Sequence, residues 1–171
     1  MSHVDLVTVV TRLHRNARAV DELTRGLDAE AARWRPEPGA WSLLEVLNHL
    51  ADEEVEDFRA RVRSTLEDPT APWAPIDPGG WVTAREYNQR DAAESLTRFL
   101  TERQSSLDWL GGLHDPDWQR AATHPKLGVL RAGDLLVSWL AHDQAHLGQI
   151  TRLLRAHLPV QLAPYSTDYA G

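Results

Sequence analysis

Four long segments of the 171-residue chain repeat their apolar residues at three- and four-residue intervals, the periodicity of a helix with one buried face. Stretches rich in proline and glycine, which continue a helix poorly, separate these segments. The pattern predicts four helices, with approximate bounds at residues 4–27, 42–66, 91–110 and 132–157. It leaves no segment with the strict alternation expected of a large sheet, so the fold class predicted is all-α.

Local signals support these helix boundaries. Ser42 is followed three residues later by Glu45, the pattern of a reciprocal capping box at a helix start. Asp91 and Glu94 form a similar pair before the third helix, and Gly111 with Gly112 ends it. The second helix is therefore expected to begin at Ser42.

Two connections differ in character. The stretch "EDPTAPWAPIDPGGW", between helices two and three, is long for a bundle loop and predicts an ordered crossover. The stretch "HDPDWQRAATHPKLGVLRAGD", before the last helix, predicts an irregular or partly extended segment. Four long helices with a long crossover indicate a four-helix bundle, formed by residues 1–171 as a single domain.

Composition excludes several function classes. The chain has no cysteine, so disulfides, thiolate ligands and a cysteine nucleophile are ruled out, and any metal must bind His, Asp or Glu. A net charge of −7 without a basic cluster argues against a nucleic-acid partner. No apolar run predicts a membrane span, and the N-terminal stretch lacks the continuous core of a secretory signal. We therefore expect a cytoplasmic protein with no membrane partner.

The stretch "WLAHDQAHLGQI" places His142 and His146 four residues apart on the last helix. Residues at this spacing share a face, so both imidazoles can reach one point, as two ligands of one metal would. His146 falls within the apolar stripe and His142 on its edge. A histidine on an apolar face is also often a core residue with its nitrogens satisfied by neighbours, and both interpretations stay open at this point.

The string "HDQAH" invites comparison with the zinc-peptidase motif H-E-x-x-H. Asp143 is one methylene shorter than the glutamate base, and the third ligand of the extended motif would fall on Arg152. A lone His-Asp dipeptide is also a weak signal for a metal-dependent phosphohydrolase. Neither activity is favoured.

Together, "GAWSLLEVLNHLADEE" and "HDQAHLGQITRLL" resemble the DinB-like superfamily of small four-helix metalloproteins, and the resemblance covers nearly the whole chain. It implies a three-histidine metal site formed by His49, His142 and His146. Many members carry an additional histidine, which is not a ligand, where this chain has Ala145. Periodicity disagrees on one position: the apolar face of helix two points away from His49, which would be exposed by that criterion.

The resemblance also implies chemistry. Three neutral imidazoles leave open positions on a divalent ion such as Zn²⁺, Ni²⁺ or Fe²⁺. Characterised relatives include transferases and isomerases that use bacillithiol or mycothiol, so transfer of such a thiol to a small electrophilic substrate is the first expectation. A hydrolase using bound hydroxide and a non-catalytic metal-binding module are the alternatives. Relatives commonly pair, and a homodimer is expected.

Other residues receive secondary interpretations. His124 is the best further candidate for a fourth ligand, and Trp41 or Trp73 for the wall of a cleft near the metal. Glu53 follows His49 by one turn and could orient an imidazole, although "DEEVED" is more simply a solvated acidic face. The remaining histidines are expected at the surface or at helix ends: His3, His14, His114 and His157.

Overall fold

The computed structural model describes residues 5–170, and this part of the chain is mostly helical. It contains the helices α1 Leu6–Thr24, α2 Ala29–Arg33, α3 Leu43–Asp52, α4 Arg59–Glu67, α5 Pro78–Ala84, α6 Ala92–Gly111 and α7 Ala132–Gln161. A π-helical segment, Glu53–Phe58, joins α3 to α4 into one continuous helix. Helix α1, the joined α3–α4 helix, α6 and α7 form the predicted four-helix bundle.

The order of helices around the bundle is not the order along the chain. Helix α1 packs against α6 and α7, and α3 also packs against α6 and α7, from the other side. The first two long helices therefore lie across a diagonal, and the long crossover after α4 leads to α6. This arrangement makes α3 and α7 neighbours, which positions their facing side chains for a shared site.

The core consists of two clusters of buried apolar side chains, one toward each end of the bundle. The first includes Leu13, Phe58, Val62, Leu110, Leu136 and Trp139. The second includes Val20, Leu47, Leu50, Phe99, Ile150 and Leu153. Both draw on all four long helices, because each helix places its apolar stripe toward the bundle axis.

Side-chain caps start three of the long helices, two of them at the residues that the sequence predicted. Ser42 accepts a hydrogen bond from the backbone N–H of Glu45, whose carboxylate accepts one from the N–H of Ser42. Asp91 caps α6 in the same position. Asp5 caps α1, which begins at Leu6, whereas the predicted start at Val4 lies outside the described residues.

The crossover between α4 and α6 is ordered, as predicted, and contains α5 and a 3₁₀ turn at Tyr87–Gln89. Asp52 of α3 fastens it to the bundle, since its carboxylate accepts hydrogen bonds from Arg85 and Tyr87 of the crossover and from Arg98 of α6. Burial alone would raise the pKa of Asp52, but the bonds from Tyr87 and Arg98 hold it below its usual value.

The structure bears on two predictions, one about the segment before the last helix and one about the end of that helix. The segment expected to be irregular or partly extended is partly extended, because it contains an antiparallel hairpin of β1 Ala121–His124 and β2 Gly128–Arg131. Helix α7 continues to Gln161 rather than ending near His157, with Pro159 in its last turn. Pro159 has no N–H to donate to the preceding turn, and because it lies in the last turn only two residues follow it before the helix ends.

The interpretation of "DEEVED" as a solvated acidic face is wrong for its first three residues. Asp52, Glu53 and Glu54 are each at most 4% exposed. Asp52 is paired as described above, and Glu54 accepts hydrogen bonds from Arg103 and from the Trp139 indole N–H. A sequence pattern that marks charge cannot reveal that an arginine on another helix neutralises it.

Within residues 5–170, no helix combines the length and apolar character required to cross a membrane.

Candidate metal centre

The three histidines singled out in the sequence meet between α3 and α7. The Nε2 atom of His49 lies 3.1 Å from the Nε2 atoms of both His142 and His146, and those two atoms are also 3.1 Å apart. Among the described residues, these side chains form the group whose ligand atoms could hold one metal ion.

Periodicity was wrong about His49, which is only 4% exposed. Every residue of α3 is buried, because α2, α6, α7 and the crossover surround it. A helix covered on all sides has no solvent face, so the direction of its apolar stripe does not predict exposure. The π-helical segment after α3 adds a second cause, since it changes the register of the apolar residues that follow.

Burial favours the neutral form of all three imidazoles. Burial, with the neighbouring His146, lowers the pKa of His49 from 6.5 to about 4. Burial, followed by the neighbouring histidines, lowers the pKa of His142 to about 3. Burial likewise lowers the pKa of His146. The cluster therefore presents uncharged nitrogen atoms at neutral pH, the protonation state that metal coordination requires.

A hydrogen bond fixes the orientation of one of the three imidazole rings. The Nδ1 atom of His146 lies 2.8 Å from the Oε1 atom of Gln149, and an amide oxygen accepts a hydrogen bond only from a protonated ring nitrogen. The assignment of the Nδ1–H tautomer follows from this contact. The Nε2 lone pair of His146 is then free and faces the other two histidines.

The donor set fits a divalent transition metal. Imidazole nitrogens bound at about 2.0–2.1 Å to one zinc ion lie roughly 3 Å from each other, close to the separation of these three Nε2 atoms. Three nitrogens with lone pairs turned toward one another repel without a cation or proton between them. Neutral imidazoles suit Zn²⁺, Ni²⁺ and Fe²⁺, and a set of three leaves coordination positions for water or substrate.

Aromatic side chains enclose the cluster on two sides. The ring of Trp41 lies 5.0 Å from that of His49, edge-on, and is stacked at 6.5 Å from that of His146. Phe58 lies 5.0 Å from His142 and stacks on Trp139 at 5.6 Å. These rings cover part of the cluster, in which His49 is buried and His142 and His146 are partly exposed, and Trp41, itself only partly buried, lies at the edge.

The other candidate tryptophan and the candidate fourth ligand lie elsewhere. Trp73 packs beneath the guanidinium of Arg61 and beside the ring of His124. The Nδ1 atom of His124 accepts hydrogen bonds from the backbone N–H groups of Lys126 and Leu127, which shape the hairpin turn. His124 is not part of the histidine cluster, so its interpretation as a fourth ligand is not supported.

Of the remaining histidines, His14 and His114 are exposed, and His157 contacts Trp34 at 5.0 Å. His3 lies outside the described residues.

Asp143, between the two α7 histidines, belongs to the core rather than to the cluster. Its carboxylate accepts hydrogen bonds of 2.8 and 2.7 Å from Arg103 of α6 and one of 3.1 Å from Asn16 of α1. Arg103, 1% exposed, also binds Glu54. The position expected of a peptidase base is thus occupied by a structural carboxylate, in agreement with the rejection of that activity.

Glu53 lies close to the cluster, although the sequence favoured a position in a solvated acidic face. It is 4% exposed, and its Oε1 atom lies 4.0 Å from Nδ1 of His49. Burial, together with the charge of Asp57, raises the pKa of Glu53 to about 8. The signal available in the sequence was its position one helical turn after His49, but its burial depended on neighbours that the sequence does not specify.

Comparison with known proteins agrees with this arrangement. The sequence model described as the DinB superfamily matches residues 12–150. A protein of Oceanobacillus iheyensis, named as a proposed metal-dependent hydrolase, is 30% identical over 119 residues, which cover 68% of this chain and 67% of that protein. YfiT of Bacillus subtilis, with the same proposed activity in its name, is 27% identical over 120 residues, covering 68% and 66% of the two chains.

A solved structure of YfiT superposes with a TM-score of 0.79 at 20% identity, covering 91% of this chain and 89% of that one. Its description gives an unusual four-helix bundle topology. At this identity the likeness establishes the fold alone.

Proposed function

The chain belongs to the DinB superfamily, and on that basis we propose that His49, His142 and His146 bind one divalent metal ion for use in catalysis. The observation that carries this proposal is the triangle of three neutral Nε2 atoms 3.1 Å apart, contributed by the buried His49 and the partly buried His142 and His146. The names of the relatives, which include metal dependence, support it. Zn²⁺, Ni²⁺ and Fe²⁺ all suit this donor set.

The reaction proposed first is transfer of a low-molecular-weight thiol, of the bacillithiol or mycothiol type, to a small electrophilic substrate. A divalent ion in this site would supply Lewis acidity and hold a thiol as its thiolate at neutral pH. The chain has no cysteine, so the nucleophilic sulfur has to come from a second substrate. Trp41 and Phe58 would exclude water around that sulfur, and Gln149 would hold the ring of His146 in place.

Hydrolysis by metal-bound hydroxide is the second candidate, favoured by the names of the Oceanobacillus and Bacillus relatives. It requires the same three histidines and the same open coordination position. The two reactions differ in the nucleophile, which is water in one and an added thiol in the other. A metal-binding module without turnover would use the ligands but no substrate.

The deciding experiment begins with metal analysis of the purified protein, for which we expect about one divalent ion per chain. The metal-loaded protein is then incubated with small electrophiles and with esters or amides, each with and without bacillithiol or mycothiol. Product that forms only with thiol supports the transferase, and product without thiol supports the hydrolase. Bound metal with neither product supports the non-catalytic module, while His146→Ala, expected to lose the metal, is the control.

We further propose a cytoplasmic homodimer that acts on small molecules and has neither nucleic acid nor membrane as a partner. The acidic net charge supports the absence of a nucleic-acid partner. Exposed apolar side chains on described helices, such as Val7 of α1 and Val137 of α7, are candidates for a subunit contact. Light scattering that reports a monomer at micromolar concentration would contradict the dimer.

A further inference from the structure

All buried carboxylates of the described bundle except Glu53 are bonded to an arginine. Each of the following has an arginine bonded directly to it: Glu45 with Arg35, Asp52 with Arg85 and Arg98, and Glu54 and Asp143 with Arg103. Glu53 is buried to the same degree, but its carboxyl group lies beside His49 and Asp57, and Arg61 acts on it only through its charge, without a bond. A buried carboxylate without a cationic partner destabilises a fold, so Glu53 requires an explanation.

The carboxyl group of Glu53 lies beside the imidazole ring of His49. The Oε1 atom of Glu53 and the Nδ1 atom of His49 are both buried without a hydrogen-bond partner, and they lie 4.0 Å apart. A hydrogen bond between them would be about 2.8–3.0 Å long, so a movement of about 1 Å suffices to form it. Nδ1 is the ring nitrogen on the side away from the histidine cluster, since Nε2 of His49 faces His142 and His146.

The carboxyl group of Glu53 also has a hydrogen-bond partner farther along the same helix. Its carboxyl group hydrogen-bonds to Asp57, and the Oδ1 atom of Asp57 lies 2.7 Å from Nε of Arg61. His49, Glu53, Asp57 and Arg61 therefore follow one another at intervals of four residues along the continuous α3–α4 helix. The hydrogen bond to Asp57 holds the carboxyl group of Glu53, while its Oε1 atom has no partner and can bond to His49.

We propose that Glu53 is a positioning residue, whose Oε1 atom accepts a hydrogen bond from the Nδ1–H group of His49 and so presents the Nε2 lone pair to the metal. This inference rests on the proposed three-histidine metal site. Gln149 has the same role toward His146, with a bond already formed at 2.8 Å. A metal-bound histidine commonly donates its second ring N–H to a carboxylate or carbonyl oxygen, which fixes its tautomer and increases its basicity.

The proposal predicts that loss of Glu53 weakens metal binding without lowering the stability of the metal-free fold. If Glu53 serves His49, its replacement by leucine weakens metal binding, and it also replaces a buried polar group, whose Oε1 atom has no hydrogen-bond partner, by an apolar side chain. The metal-free fold should then become no less stable. A residue with a purely structural role would behave differently, because its loss would lower stability and leave metal affinity unchanged.

The test uses the full chain, zinc alone as the probe, and competition with a chelator to measure affinity. Glu53→Leu, which removes the acceptor, should weaken zinc binding about 10–100-fold, the range for loss of such an outer contact. Glu53→Gln keeps an acceptor oxygen and should retain part of the affinity. Glu56→Gln is the matched control, since Glu56 lies in the same π-helical segment but pairs with Arg85, and it should bind zinc like the wild type.

Two further measurements separate the possible failures. In the metal-free proteins, the unfolding midpoint of Glu53→Leu should equal or exceed that of the wild type, and ¹⁵N NMR should show the Nδ1–H tautomer of His49 in the wild type but not in Glu53→Leu. Unchanged zinc affinity in Glu53→Leu, or an unchanged tautomer, overturns the inference. A wild-type protein that fails to bind zinc would overturn the proposed metal site, while the tautomer in metal-free protein would still decide whether Glu53 bonds to His49.

Discussion

Asp143 and Arg103 form a two-point contact in the core, with Nη1 of Arg103 2.8 Å from one carboxylate oxygen and Nη2 2.7 Å from the other. Asp143 lies one residue after His142 and three before His146 on α7. A contact that fixes Asp143 therefore also fixes the rotation of α7 that turns both histidines toward α3. The acidic residue of "HDQAH" aligns the site without entering it.

Replacement of Arg103 should be the most damaging single change in the bundle. Arg103→Met would leave Glu54 and Asp143 buried without their cation, a change that typically costs about 3–5 kcal/mol. Urea unfolding measured by circular dichroism gives the free energy directly. Arg131→Gln, which breaks an exposed ion pair with Asp134, is the control and should leave the midpoint nearly unchanged. Equal stability of the two variants would contradict the structural role assigned to Arg103.

Metal retention should persist below the pH at which ordinary histidines gain a proton. In the metal-free fold the pKa of His49 is lowered to about 4 and that of His142 to about 3, so protons compete for these nitrogens only in more acidic solution. Affinity should therefore be nearly constant from pH 8 to pH 6.5 and fall as the pH is lowered toward 4. Zinc content after dialysis at a series of pH values provides the measurement. Loss centred at pH 6.5 would mean that these histidines keep their ordinary pKa in the metal-free fold.

Substitution of His49 tests the ligand that sequence periodicity placed in solvent. His49→Ala should lower metal affinity by orders of magnitude, because one of three donors is lost, while circular dichroism still reports a helical fold. His14→Ala, at an exposed position on α1, is the matched control and should keep its metal. Full metal occupancy in a folded His49→Ala protein would refute the three-histidine site and leave only the pair on α7.

Replacement of Ser42 should lower stability more than replacement of an exposed serine. Its hydroxyl accepts from the N–H of Glu45 and donates to Asn88 of the crossover, so it caps α3 and ties the crossover to it. Ser42→Ala should cost about 1–2 kcal/mol in unfolding free energy, in the upper range for loss of a helix cap. Thermal unfolding beside Ser105→Ala, an exposed site on α6, provides the comparison. A midpoint equal to that of the control would show that the capping box adds nothing.

The sequence by itself determined the helices and part of the candidate metal site. Hydrophobic periodicity and caps such as Ser42 depend on residues within a few positions of each other, so a linear pattern reports them. The same holds for His142 and His146, because a spacing of four residues places two side chains on one face of a helix whatever surrounds it. The resemblance to DinB-like proteins supplied the third position, His49, which periodicity alone would have placed in solvent.

Only the tertiary structure decided which polar residues are buried and what they bind. Helix α3 is enclosed on every side and the π-helical segment is buried where it begins, so His49, Glu53 and Glu54 are inside the protein although nothing in their neighbouring sequence distinguishes them from a solvated face. Their partners, His142, Asp57 and Arg103, lie from 4 to almost 100 positions away along the chain. Burial and pairing depend on the packing of whole helices, and helical periodicity describes one helix at a time.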